Sequence, residues 1–136
     1  MITADNDLRS ILSTASSIAV VGASRKPWRA SHDITRYLLE AGYTVFPVNP
    51  AYPEVLGRRC YPELAAIGVP VDIVNVFRNS EELPGVVRDA IAIKARTVWM
   101  QPGVVNDEAA LAAEEAGLNV IMDRCIAVDH RWLCRG

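Results

Sequence analysis

Ile18-Ala19-Val20-Val21-Gly22-Ala23-Ser24-Arg25-Lys26-Pro27 joins a short apolar run to a glycine-led basic loop. The run is brief and rich in valine, which reads as a strand buried on both faces. Gly22 follows it directly, where the chain turns and where a backbone without a Cβ lets a ligand come close. A helical pattern opens a few residues later, at Ser31. Its free N–H groups and dipole then face the same spot as Ser24, Arg25, Lys26 and Arg29, a natural seat for a pyrophosphate. Strand, glycine turn and helix in this order make the first unit of a parallel α/β sheet. A solvated basic turn with glycine for the bend is the plainer reading of the same stretch.

The rest of the chain repeats this unit. Apolar runs recur at residues 44–48, 71–77, 97–100 and 119–122. Helical spacing separates them. Residues 5–15 carry Leu8, Ile11 and Leu12; residues 31–41 carry Ile34 and Leu38, with Gly42 as the expected stop. A shorter helix is expected over 61–67, and a longer one over 80–95 with Pro84 in its first turn. Asn106 reads as an N-cap before Asp107 and Glu108. The alternation predicts an α/β, Rossmann-like, doubly wound parallel sheet of five strands with helices on both faces, in the order 3-2-1-4-5. Residues 49–59 read as a loop, and residues 126–133 as a small edge strand. A single domain is expected over residues 1–136, a length that buries roughly two thirds of its unfolded surface.

Composition narrows the function. A net charge of −2 speaks against a nucleic-acid binder that works by neutralising phosphates. No apolar run approaches the ~18 residues of a membrane span. The start, with Asp5 and Asp7, lacks the pattern of a signal peptide. Three scattered cysteines, Cys60, Cys125 and Cys134, fit neither a disulfide framework nor a zinc site. A reduced, cytoplasmic setting is expected.

In a doubly wound sheet the ligand sits beyond the carboxyl ends of the strands, beside the first one. The dinucleotide fingerprint G-x-G-x-x-G is absent there, and Gly22 alone remains of its glycines. The second strand ends in Asn49-Pro50, where an NAD site places an acid on the ribose. Asn49 does not repel phosphate, and Arg58 and Arg59 follow it. Cations without the acid suit coenzyme A, with its 3′-phosphate, and suit NADP equally. Asn49-Pro50 also reads as an ordinary turn. Phe77-Arg78 could flank an adenine by stacking, or could be core and a solvated cation. Gln101 is a polar residue at the end of a buried strand. Trp28 lies at a loop tip, a poor place to bury an indole.

Taken together these residues resemble the CoA-binding protein family, related to the N-terminal domain of the succinyl-CoA synthetase α subunit and of ADP-forming acyl-CoA synthetases. The resemblance runs through Val20-Val21-Gly22-Ala23-Ser24 with Pro27, Val48-Asn49-Pro50, Leu56-Gly57-Arg58, and Val71-Asp72-Ile73-Val74 leading to Phe77-Arg78. It continues through Trp99-Met100-Gln101, Gly103-Val104 and Asp123-Arg124-Cys125, covering about residues 10–130. It implies a domain that holds coenzyme A or an acyl-CoA. The implied contacts are Gly22, Ala23, Ser24, Arg25, Lys26 and Pro27 for the phosphates. Asn49, Pro50, Tyr52 and Arg58 follow for the nucleotide, and Phe77, Arg78, Met100 and Gln101 along the cofactor.

The related synthetases need a further domain with a phosphorylated histidine. His32 and His130, the two histidines here, do not stand in that context. A binding module without chemistry of its own is therefore expected, working with a partner enzyme or as a homodimer. An NADP-dependent oxidoreductase, or another nucleotide-binding Rossmann protein, is the alternative. Cys125 reads either as a buried small residue or as a thiol within reach of the CoA sulfur, with Arg124 beside it.

Overall fold

The computed structural model describes residues 1–135. Five parallel strands form its centre: β1 (Ser17–Val21), β2 (Thr44–Val48), β5 (Ile73–Val76), β6 (Thr97–Met100) and β7 (Asn119–Met122). Two further short strands, β3 (Glu54–Val55) and β4 (Arg58–Arg59), pair as an antiparallel hairpin inside the expected loop. Helices α1 (Asp5–Thr14), α2 (Ala30–Glu40) and α5 (Ile126–Cys134) supply Leu8, Leu12, Leu38, Ile126 and Leu133 to an apolar layer on one sheet face, against Ile18, Val20, Ile73, Trp99 and Ile121. Helices α3 (Leu83–Ala92) and α4 (Asp107–Glu115) supply Leu83, Val87, Ala90, Ala109 and Ala113 to the other, against Ala19, Val21, Val74, Val76, Val98 and Met100. Both faces of the sheet are thus covered, which is why its strands read as unbroken apolar runs.

The doubly wound class is as expected, but the strand order is not 3-2-1-4-5. The sheet runs β2-β1-β5-β6-β7, so the third long strand joins β1 on the side away from β2, and the order of the long strands is 2-1-3-4-5. Pro47 gives the physical reason. Proline has no N–H to donate, so it tolerates an edge strand and would break a ladder in an interior one. The Pro47 carbonyl points outward and accepts the Tyr61 N–H at 2.9 Å, while Val48 turns inward and accepts the Gly22 N–H at 2.9 Å. The prolyl nitrogen therefore sits on the open edge.

The other local differences are also physical. Residues 126–133 form a helix, not an edge strand, because Ile126, His130 and Leu133 fall at helical spacing and all turn inward. The helix expected over 61–67 shrinks to a 3₁₀ turn at Leu64–Ala66. The helix expected from residue 80 starts with a 3₁₀ turn, Ser80–Glu82, and becomes α-helical at Leu83, with Pro84 in its first turn. Asn106 caps α4 as its sequence predicts, its side chain accepting the Ala109 N–H at 3.0 Å.

Candidate functional site

A cleft of about 640 Å³ opens where the carboxyl ends of β1, β5 and β6 meet the amino-terminal turn of α2 and the start of α5. Its floor is the row that continues those strands: Gly22, Phe77 and Gln101. The backbone makes a sharp turn at Gly22, with φ of +90°. A Cβ there would stand 2.2 Å from the Phe77 carbonyl oxygen, so the glycine is required by both conformation and space. The turn is tied on two sides, Gly22 N–H to Val48 and Phe77 N–H to Val21.

The loop beyond it is shaped by its own side chains. Ser24 is buried, and its Oγ accepts the Lys26 N–H at 3.0 Å. Asn49 reaches across from the end of β2: its Nδ2 donates to the Ala23 carbonyl, and its Oδ1 accepts the Ala51 N–H, both at 2.9 Å. An acid at position 49 would lack the donor for Ala23, which explains the neutral amide in structural terms. No side chain caps α2, so the N–H groups of its first turn face the cleft at Ala30 and Ser31. Lys26 and Arg29 line the same wall, adding positive charge where the helix dipole is already positive. Arg78 lines the opposite wall and is partly engaged by Glu82, 3.7 Å away.

Of the residues expected to hold a ligand, Gly22, Ser24, Lys26, Asn49, Tyr52, Phe77, Arg78 and Gln101 line this cleft together. The others do not. Ala23 and Met100 are fully buried core residues on opposite faces of the sheet. Arg25 is exposed, its guanidinium 5.9 Å from the centre of the Tyr52 ring. Pro27 and Pro50 are exposed outside the cleft, and Arg58 is exposed on β4 of the hairpin. Trp28 stands 77% exposed on the loop.

Ala30, Ser31, Ile34, Asn79, Pro102 and Val104, which the sequence did not single out as contacts although Asn79, Pro102 and Val104 follow strand ends, complete the lining. A signal for the first three was present: on a helix beginning at residue 30, positions 30, 31 and 34 share one face. Cys125, weighed as a thiol, lines the cleft as the N-cap of α5. Arg124 does not serve it as a free cation, because its guanidinium makes a bidentate pair with Asp129 at 2.8 and 2.9 Å. Gln101 is buried and spends its Oε1 on the Ile126 N–H, at 3.0 Å.

The histidines stand apart from the cleft. His32 is buried beside Arg36, and His130 accepts or donates through Nδ1 to the Tyr37 hydroxyl at 2.8 Å, between the Tyr37 and Tyr43 rings. Burial, with Arg135 nearby, holds the His130 imidazole below its ordinary value. Among the described residues, no group of His, Cys, Asp and Glu is arranged to hold a metal ion, and no helix is long and apolar enough to cross a membrane.

The chain is similar along nearly its whole length to the uncharacterized protein YneT of Bacillus subtilis, with 45% identity over 91% of this chain and 92% of that one. A hypothetical protein from Pyrococcus horikoshii superposes with a TM-score of 0.94 at 43% identity, covering 96% of this chain and 92% of its own. The acetate–CoA ligase (ADP-forming) I of Archaeoglobus fulgidus is 26% identical over 82% of this chain, a match that spans 18% of that larger enzyme. Residues 16–131, which include every strand of the sheet and the whole lining of the cleft, match the CoA binding domain, and the chain belongs to that family.

Proposed function

We propose that this protein binds coenzyme A or an acyl-CoA in the cleft at the strand ends, and holds it without chemistry of its own. The observation that carries this reading is the uncapped start of α2, facing the Gly22 turn with Lys26 and Arg29 on the same wall. Free N–H groups, a positive helix end and two cations form a seat for the phosphates. Tyr52 and Phe77 offer aromatic surface to an adenine. Pro102, Val104 and Cys125 line the remaining length, which suits a pantetheine arm. CoA supplies a thiol that carries acyl groups; the residues named bind and orient it. The family match and the ligase relative support the same ligand. A partner enzyme or a second copy of the chain would use the bound CoA, and the free cysteines suit a reducing, cytoplasmic setting.

NADP is the second reading, because the same cations and the missing ribose acid suit its extra phosphate. Calorimetric titration with CoA, dephospho-CoA, NADP and NAD separates the two. CoA should bind most tightly and dephospho-CoA more weakly, since it lacks the 3′-phosphate. NADP binding without a CoA response would overturn the proposal.

A further inference from the structure

Two helices keep large apolar side chains in water on the face that an amphipathic helix leaves polar. On α5, Val128 and Trp132 stand four residues apart and share the outer face, with Trp132 78% exposed. On α4, on the other side of the sheet, Leu111 is 55% exposed. Single exposed apolar residues are ordinary; the charges around these set them apart.

The residues three and four positions before and after Leu111 are Asp107, Glu108, Glu114 and Glu115. Every near neighbour of Leu111 on the helix surface is therefore a carboxylate. Glu114 is held by the amino terminus of the chain. The other three acids are exposed and, among the described residues, make no ion pair. On α5 the sign is reversed. Arg131 follows Val128 by three residues, and Arg135 follows Trp132 by three. Their guanidinium groups lie 5.1 and 5.8 Å from the centre of the Tyr37 ring. Among the described residues neither arginine is paired with a carboxylate. One helix thus presents a leucine ringed by acids, and the other a valine and a tryptophan edged by arginines.

We propose that α5 of one copy of this chain docks on α4 of a second copy. Trp132 and Val128 pack on Leu111, and Arg131 and Arg135 face Glu108 and Glu115. The charges select this pairing. An α5–α5 contact about a two-fold axis sets arginine against arginine, and an α4–α4 contact sets acid against acid. Because the two helices cover opposite faces of the sheet, each copy offers one patch to each of two neighbours. The contact is head-to-tail and builds a ring or a chain. Two helix faces make a small interface, so assembly depends on concentration. None of these residues lines the cleft, so the contact does not rest on what the cleft holds.

Sedimentation equilibrium of the full chain, from micromolar to millimolar concentration, tests this. The average mass should rise with concentration past that of two chains. Trp132→Ala and Leu111→Lys, both at exposed positions, should each weaken association roughly tenfold or more. Urea unfolding checks that both variants fold. Mixed together, they should form a two-chain species that grows no further, because the first still offers its α4 and the second its α5. Arg131→Glu with Arg135→Glu, which sets acid against acid, should abolish association. A single chain at every concentration would overturn the proposal. So would a Leu111→Lys or charge-reversed variant that assembles like the parent, or a mixture no heavier than its two components.

Discussion

Gly22→Ala should cost far more stability than Gly42→Ala, although both glycines sit at positive φ. Gly42, at φ +100°, has nothing within 4 Å of an added Cβ. Its substitution therefore meets conformational strain of roughly 1–2 kcal/mol, offset by about 0.4–1 kcal/mol from the stiffer unfolded chain. A net loss of about 0–1.6 kcal/mol is expected there. Gly22, at φ +90°, carries the same strain plus a Cβ 2.2 Å from the Phe77 carbonyl oxygen. Ordinary contact begins at 3.4 Å, so backbone must move by about 1.2 Å. That carbonyl belongs to a residue whose N–H is bonded to Val21, and Gly22 itself is bonded to Val48, so β1, β2 and β5 all resist the shift. Overpacking adds typically 1–3 kcal/mol, giving a total of about 1–4.6 kcal/mol. Urea unfolding of the two variants beside the parent protein measures both costs, with unchanged slopes as the sign that the unfolded state is the same. The Gly22 variant should also bind CoA at least tenfold more weakly, since the shift displaces the cleft floor. Equal losses for the two variants would refute the close approach of the turn to β5.

Asn49→Ala removes the bonds to Ala23 and Ala51 and should cost about 1–3 kcal/mol, two hydrogen bonds' worth, in the same unfolding assay; Asn49→Asp should weaken CoA further by setting a carboxylate near the phosphates. Lys26→Ala and Arg29→Ala, which alter cleft-lining cations, should each weaken CoA by about 1–3 kcal/mol in calorimetry, whereas Arg25→Ala, outside the cleft, should have a smaller effect. His130, held below its ordinary value of 6.5 by burial and then by Arg135, makes the unfolded chain take up the proton first as pH falls. Stability should therefore decline from about pH 7 downward, with no contribution from this group above it, and His130→Gln should flatten the decline in unfolding experiments between about pH 7 and 5.

How much of this was legible in the sequence differs by level. The strands Thr44–Val48, Thr97–Met100 and Asn119–Met122 match the apolar runs end to end, because a sheet covered on both faces leaves no polar alternation to confuse them. Strand order was not legible from the usual winding, yet Pro47 carried it: a strand with no N–H to give at that position belongs on an edge. The last segment was misread because its short apolar stretch was judged as a strand, when Ile126, His130 and Leu133 turn inward at helical spacing. At the site, the basic loop marked the right place, but charge did not tell which cations face inward. Arg25 turns toward Tyr52 while Lys26 and Arg29 line the wall, a choice set by the Ser24–Lys26 turn and the start of α2.

The polar side chains around the cleft divide into two groups, and the division bears on what the site does. Asn49 holds Ala23 and Ala51, Gln101 holds Ile126, Asp123 accepts the Gly103 N–H at 2.7 Å, Ser80 accepts the Val105 N–H, and Arg124 is paired with Asp129. The Asn49–Ala23, Gln101–Ile126, Asp123–Gly103 and Ser80–Val105 bonds tie segments at different strand ends together, while Asn49–Ala51 and Arg124–Asp129 brace single segments, and together they fix the shape of the cleft. What is left for a ligand is the α2 start, the cations Lys26, Arg29 and Arg78, the Tyr52 and Phe77 rings, and the Cys125 thiol. General acid–base catalysis needs a titratable side chain, most often an imidazole or a carboxylate, within hydrogen-bond reach of the reacting atoms. Both histidines are buried away from the cleft, and the nearest acids are engaged with backbone or with arginine. The groups that face the cleft are those that bind phosphate, stack on a base and meet a sulfur.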